Sequence, residues 1–294
     1  MTGSATSDRP QATWRRAALR VARSLALLYA AWCATLYLMQ PSMLYLPVLA
    51  GTGLTKAEID ERVEQGTIER HWIERDGARV EAWLMRSLRE EPARGLVSIS
   101  HGNAELIDHL GDDARRWRRL GFDVVLPEYR GYGRSTGSPS EEAIVADTLD
   151  AIDWALGKTG HAALVLHGRS LGTGVVAQVA ARLGEIPSRP TLELVALEAP
   201  FTSIASYAPR YGVPPFLVRD PYRTDEVLPT LTCPVIILHT RDDDVVPIEH
   251  GRMLASLAPS RISLVEFEGS HNSGISTTNG YWNAIARALE RRDN

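Results

Sequence analysis

One stretch of this 294-residue sequence has the residue types and spacing of nucleophilic chemistry: Gly168-Arg169-Ser170-Leu171-Gly172, a G-x-S-x-G. It follows the apolar run A-A-L-V-L-H (162–167), and a helix-compatible stretch follows it. A serine at the tip of a very tight strand-to-helix turn has a strained backbone. The positions two before and two after it are crowded by neighbouring backbone, so glycine is required there. Ser170 would then be exposed at a helix N-terminus, where developing negative charge is favoured. A hydroxyl is a weak nucleophile and needs a base to take its proton. The available imidazoles are His71, His101, His109, His161, His167, His239, His250 and His271.

The elements that must position such a group are legible. T-I-E-R-H-W-I-E-R, then Asp76-Gly77, then A-R-V-E-A-W-L-M-R-S reads as a β-hairpin, because Asp-Gly is a strong two-residue turn signal. Short apolar runs follow at 96–100, 123–127, 162–167, 192–197, 234–239 and 262–267. Continuous runs of this kind fit parallel strands covered on both faces. The clearest helix between them follows Ser138-Pro139-Ser140-Glu141, with Ser138 as the cap, Pro139 first in the helix and Glu141 closing a capping box. Val145, Leu149, Ile152 and Leu156 then form one apolar face. Further helices are predicted near 110–120, 171–184, 248–257 and 276–291. A hairpin followed by β-α alternation predicts an α/β three-layer architecture, a mostly parallel sheet with an antiparallel N-terminal hairpin. Ligands of such sheets sit beyond the carboxyl ends of the strands.

Chemistry is therefore expected just after each apolar run. F-E-G-S-H-N, with His271, follows 262–267. Asp242, Asp243 and Asp244 follow 234–239, and at most one of these three carboxylates can orient an imidazole. His101-Gly102-Asn103-Ala104 follows 96–100. The N–H of Asn103 and that of Leu171, next to the serine, are the candidate donors to an oxyanion. His101 reads as a loop brace beneath the site, His167 as a core histidine, and His239 and His250 as structural. The loop Glu128–Ser135 reads either as a pocket wall or as a loop held by Arg130.

Composition narrows the function classes. The chain has 32 basic and 36 acidic residues and a net charge of −4, which offers no footprint for nucleic acid. Cys33 and Cys233 leave little room for a disulfide framework or a four-ligand zinc site, and no metal or organic cofactor is implied. Five Arg and one Asp precede Ser24, a local +4 that leaves −8 for the remainder. A dense apolar stretch, Ser24 to Met39, follows, and no charge appears before Lys56. This reads as a membrane-spanning anchor with its N-terminus in the cytoplasm and the remainder extracytoplasmic. The competing readings fit less well. No A-x-A site follows the run for signal cleavage, Trp32 precedes Cys33 where lipidation wants a small residue, and the run is apolar all round rather than striped. The expected organisation is a basic tail (1–23), a transmembrane anchor (24–46) and a catalytic domain (47–294) with a short cap at about 198–229.

Taken together these pieces resemble the α/β-hydrolase superfamily, and within it the N-terminally membrane-anchored serine hydrolases, alongside depalmitoylase-like and serine-aminopeptidase-like α/β-hydrolase-domain proteins. The resemblance spans about 41 to 289. It rests on Q-P-S-M-L-Y-L-P, H-G-N-A, Y-R-G-Y-G-R-S-T-G-S-P-S-E, G-R-S-L-G, E-A-P-F-T-S-I, D-D-D-V-V-P and G-S-H-N. The superfamily's chain order of serine, acid, histidine implies His271 as the base. Its D-x-x-V-P register implies Asp243 as the acid, with Asp242 second, so Ser170, Asp243 and His271 become the triad. Two positions depart from the usual pattern: His239-Thr240 stands for H-G, and Glu128 for Asp before Tyr129-Arg130-Gly131. The resemblance implies a hydrolase of esters, thioesters or amides without naming the substrate; the anchor, which raises local concentration at lipid, points to an acyl ester or thioester of a lipid-like or small molecule, cleaved through an acyl-enzyme. A peptidase or amidase with the same triad, or a catalytically silent binding module on the same fold, are the alternatives. Phe201 and Tyr207, in the segment where this superfamily inserts its lids, are candidates to line an acyl groove.

Overall fold

The computed structural model of the chain describes residues 9–185 and 190–290, with side chains from residue 14 onward. The first eight residues of the expected basic tail and the last four of the chain lie outside the described residues. The chain divides into two units, Met1–Met43 and Leu44–Asn294. The second begins inside the stretch expected as anchor.

The first unit consists of helix α1 (Arg9–Leu44), which closes at the start of the second unit. At 1.5 Å per residue its 36 residues extend about 54 Å, beyond the roughly 30 Å of a bilayer's hydrocarbon core. The helix starts well before Ser24 because the Ala/Arg/Leu-rich sequence from 15 to 23 is good helix former throughout. Leu25, Leu28 and Leu38 are more than 60% exposed, and the helix is long and apolar enough to cross a membrane.

The second unit opens with α2 (Lys56–Glu64). Thr55 and Glu58 cap it reciprocally. The hairpin β1 (Glu69–Arg75) and β2 (Ala78–Met85) turns at Asp76 and Gly77, both at positive φ, as a two-residue hairpin turn requires. Alternation follows: β3 (Leu96–Ser100), α3 (Gly111–Arg119), β4 (Asp123–Pro127), α4 (Glu141–Thr159), β5 (Ala163–Arg169), α5 (Leu171–Gly184), β6 (Thr191–Glu198), α6 (Thr224–Val227), β7 (Val235–Thr240), α7 (Ile248–Leu257), β8 (Ile262–Phe267) and α8 (Asn279–Glu290). The strands form one sheet in the order β1-β2-β4-β3-β5-β6-β7-β8, antiparallel at β1-β2-β4 and parallel from β4 to β8.

Successive residues of the central strands serve opposite faces. Leu164 and Leu166 of β5 join one core with Ile152 of α4, Val176 of α5 and Leu254 of α7. Val165, between them, joins the other with Trp117 of α3 and Ile285 of α8. This two-sided burial is why the strands read as unbroken apolar runs. One helix start differs from the sequence reading. Ser140, not Ser138, caps α4, accepting the Ala143 N–H. The Glu141 carboxylate accepts the Tyr222 N–H instead of closing a capping box, and Asp220 accepts the Glu141 N–H. A tertiary partner has taken the carboxylate that a local motif would have used.

Candidate active site

Ser170 lies between β5 and α5 with φ 49° and ψ −115°, a conformation in which a non-glycine residue is strained. The turn is held by the Ser170 N–H donating to the Glu198 carbonyl and the Thr173 N–H donating to the Ser170 carbonyl, both at 2.9 Å. The flanking glycines are required by contact. A Cβ on Gly168 would stand 2.4 Å from the Gly172 carbonyl oxygen, and one on Gly172 would stand 2.1 Å from the Ser100 carbonyl oxygen.

His271 lies on the loop after β8, with Nε2 3.2 Å from Ser170 Oγ and Nδ1 2.8 Å from Asp243 Oδ2. His271 thus stands in hydrogen-bonding reach of both other side chains. Asp243 is buried, whereas Asp242 and Asp244 are exposed. Its Oδ1 accepts the N–H groups of Val245 (2.9 Å) and Val246 (2.6 Å). His239, at the end of β7, places Nε2 2.8 Å from the Val246 carbonyl and 3.4 Å from Asp243 Oδ2. Burial alone would raise the Asp243 carboxyl. The hydrogen bonds from His239, His271 and the Val246 amide outweigh it and hold the group well below the usual carboxylate range. An acid so ionised accepts from His271 Nδ1–H and leaves Nε2 free to receive a proton from Ser170.

Leu171 is the first residue of α5, where amides have no intrahelical acceptor. Across from it, a Cβ on Gly102 would lie 3.7 Å from Ser170 Cβ, so the His101–Ala104 loop passes directly beside the hydroxyl. Asn103 is half-buried on that loop. The Gly102 N–H donates to Glu105 Oε2 at 2.7 Å, and the other oxygen of Glu105 accepts from Arg169. His101 is fully buried, with Nδ1 2.7 Å from the Gly102 carbonyl and Nε2 2.7 Å from Glu128 Oε1. With an acceptor at each ring nitrogen, both must donate. Burial disfavours the imidazolium, but Glu128 and the Gly102 carbonyl more than offset it and raise the group. His101 is therefore a loop brace. Arg130 is one too, gripping Asp147 with both arms of its guanidinium at 2.5 and 2.9 Å.

Phe201 is 3% exposed, and its ring lies where a side chain on Gly174 would stand, so it packs against α5. Tyr207 is half-buried and stacks on His250, with their ring centroids 5.3 Å apart. Sequence reasoning did not single out Arg169, Glu105, Asp113 and Glu198. Arg169 donates to Glu105, Asp113 and Ser276, and pairs with Glu198 at 3.2 Å. The network runs on through Tyr281, which donates to Glu198, to His167 and Trp117. The charged residue inside G-R-S-L-G was the available signal, since a half-buried arginine beside a nucleophile calls for neutralising partners. A cleft of about 410 Å³ adjoins His271, lined by Arg116, Arg169, Glu105 and Asp112 among others. Among the described residues no cluster suits a metal ion.

The alpha/beta hydrolase fold family matches residues 94–206. The lysophosphatidylserine lipase ABHD12 of Macaca fascicularis is 32% identical over 223 residues, covering 69% of this chain and 54% of the relative. The mouse protein is 33% identical over 217 residues, covering 66% and 53%, and the human protein ABHD12B is 32% identical over 201 residues, covering 60% and 52%. The chain thus spans about half the length of the curated relatives it matches. Among solved structures, an alpha-beta hydrolase from Vibrio vulnificus superposes with a TM-score of 0.66 at 18% identity, over 81% of this chain and 88% of that one. Est1E from Butyrivibrio proteoclasticus, with ferulic acid bound, gives 0.62 at 17% identity, over 75% and 99%. The order of the sheet, the turn that carries Ser170 and these likenesses agree: the chain has the α/β-hydrolase fold.

Proposed function

We propose that the protein is a membrane-anchored serine hydrolase that cleaves an acyl ester or thioester through an acyl-enzyme. The observation that carries this reading is the unbroken contact from Ser170 Oγ to His271 Nε2, and from His271 Nδ1 to Asp243. Ser170 Oγ attacks the acyl carbon while His271 Nε2 takes its proton and Asp243 stabilises the imidazolium. The carbonyl oxygen becomes an oxyanion and receives the N–H groups of Leu171 and Asn103. The bond to the alcohol or thiol then breaks, and the leaving group takes the proton from His271. Water, deprotonated by the same imidazole, adds to the acyl-enzyme and releases the acid.

The ABHD12 relatives are named for lysophosphatidylserine, and a lysophospholipid is the substrate class we assign here. The cleft beside His271 suits its leaving group, since it sets arginines and carboxylates together, as a headgroup with both charges requires. In this reading 1–23 is a cytoplasmic basic tail and the apolar run within 24–46 is a single-pass anchor, with 47–294 a catalytic domain on the extracytoplasmic side. Residues 198–229 cover its site as a short cap.

A fluorophosphonate probe tests the chemistry. Wild type is expected to label covalently and to hydrolyse p-nitrophenyl esters, and Ser170→Ala to do neither. Equal labelling of the two proteins removes the mechanism. A reporter fused at the C-terminus tests the topology, and a cytoplasmic signal overturns it.

A further inference from the structure

Asn103 does more than carry a backbone amide. Its carboxamide hydrogen-bonds the segment through which the chain enters the second unit. Nδ2 donates to the Leu44 carbonyl at 2.6 Å. Oδ1 accepts the Leu46 N–H at 3.0 Å and the Tyr132 hydroxyl at 2.6 Å. The Leu46 N–H also lies 3.0 Å from the Tyr132 hydroxyl, which closes a triangle of partners. Between Leu44 and Leu46, Tyr45 is buried, with its hydroxyl 3.1 Å from that of Tyr222. The segment 44–46 is therefore seated by its backbone on one residue of the loop that faces Ser170.

That residue's own N–H shares a peptide plane with the Gly102 carbonyl. In a trans peptide the C=O and N–H point in opposite directions. His101 Nδ1 holds the carbonyl from one side, and the Asn103 carboxamide fixes the residue on the other. The aim of the Asn103 N–H is thus determined jointly by His101 and by the segment 44–46.

We propose that segment 44–46 is a positioning element for the hydrolytic site, acting through the Asn103 carboxamide, so that the end of the N-terminal helix is coupled to turnover rather than serving as a tether alone. The inference rests on the reading of Ser170 as nucleophile. An unseated segment leaves the half-buried carboxamide with Tyr132 as its one remaining partner and frees the loop to rotate. Misplacement by about 1 Å of a group that meets the transition state lowers turnover by roughly 10²-fold.

The test uses the full-length protein in detergent micelles, with p-nitrophenyl butyrate as substrate. Asn103→Ala is expected to lower kcat about ten- to hundredfold with KM nearly unchanged, since the lost interaction is made only in the transition state. Leu46→Pro approaches from the other side. It touches no group of the triad and deletes the N–H that Asn103 accepts, and its kcat is expected to fall by a similar factor. The double variant is expected to fall no further than the worse single one, because both break the same coupling. Tyr132→Phe deletes one oxygen and carries the same prediction at a few-fold, which keeps the test alive if a harsher variant fails to fold. Circular dichroism identifies the folded variants. Folded variants with unchanged kcat, a loss confined to KM, or an additive double variant overturn the coupling. Absence of fluorophosphonate labelling in wild type overturns the Ser170 reading instead, and the two failures are distinct.

Discussion

Replacing Gly172 by alanine tests whether the turn that carries Ser170 is pressed against the neighbouring loop. The added Cβ would stand 2.1 Å from the Ser100 carbonyl oxygen, 2.6 Å from its carbon and 2.7 Å from the His101 carbonyl oxygen. All three are backbone atoms at the end of β3, so no side chain can swing aside. Carbon–oxygen contacts settle at about 3.3 Å or more, and the start of α5 must therefore separate from β3 by about 1 Å. Overpacking of this kind costs about 1–3 kcal/mol, and at roughly 2–4 °C per kcal/mol the melting temperature should fall by about 2–12 °C. The catalytic loss is larger in proportion, because Ser170 and Leu171 lie on one side of the clash and Asn103 on the other. A 1 Å misplacement there predicts a drop in kcat/KM of roughly 10²-fold. The assay is p-nitrophenyl butyrate hydrolysis with a thermal melt on the same preparation. Gly157→Ala is the control: it lies within α4 with no atom within 4 Å of the new Cβ, and it should leave activity intact while raising stability by about 0.5–1 kcal/mol. A Gly172→Ala protein that turns over at the wild-type rate would refute the argument from crowding.

Two further variants probe the electrostatics. Asp243→Asn can still accept the Val245 and Val246 amides, but it turns an NH2 group toward His271 and forces the wrong tautomer; kcat should fall by roughly 10⁴-fold, and a loss of less than tenfold would show that Asp243 does not orient the base. His167 accepts from Trp117 at Nδ1 and lies with Nε2 against Tyr281, so the folded protein holds it neutral; burial, against partial opposition from Asp113, pulls it from the ordinary 6.5 of an imidazole down to about 4. The native state then binds fewer protons than the unfolded one, so the associated stability is full above pH 6.5 and is lost as the pH falls toward 4, by about 3 kcal/mol. His167→Gln should show a correspondingly flatter dependence of unfolding free energy on pH across that window, and an unchanged slope would sink the assignment.

The strands were legible because a sheet covered on both faces writes itself as uninterrupted apolar runs, as at 96–100 and 123–127. The serine turn was legible because its glycines are fixed by backbone contact rather than by choice of partner. The start of α4 was misread because Ser138 and Glu141 make a local capping pattern, while Glu141 is claimed by Tyr222, 81 residues on. The Arg169 network was invisible for the same reason: its partners lie 56 and 107 residues away, and periodicity carries no information about such pairings. Tyr45 and Leu46 looked like the tail of the apolar run. Their hydrogen bonds to Tyr222 and Asn103 depend on where the chain folds back, which hydropathy cannot report.

The connection from β6 to β7 is fastened at both of its ends. Asp220 and Tyr222 are fastened to the first residue of α4, the Ile204 amide bonds the Pro221 carbonyl, and Tyr222 rests on the glycine-made hollow at Gly174 of the serine-bearing helix. A strap fastened at both ends can flex only between them, in the stretch where Tyr211 and Phe216 stand exposed.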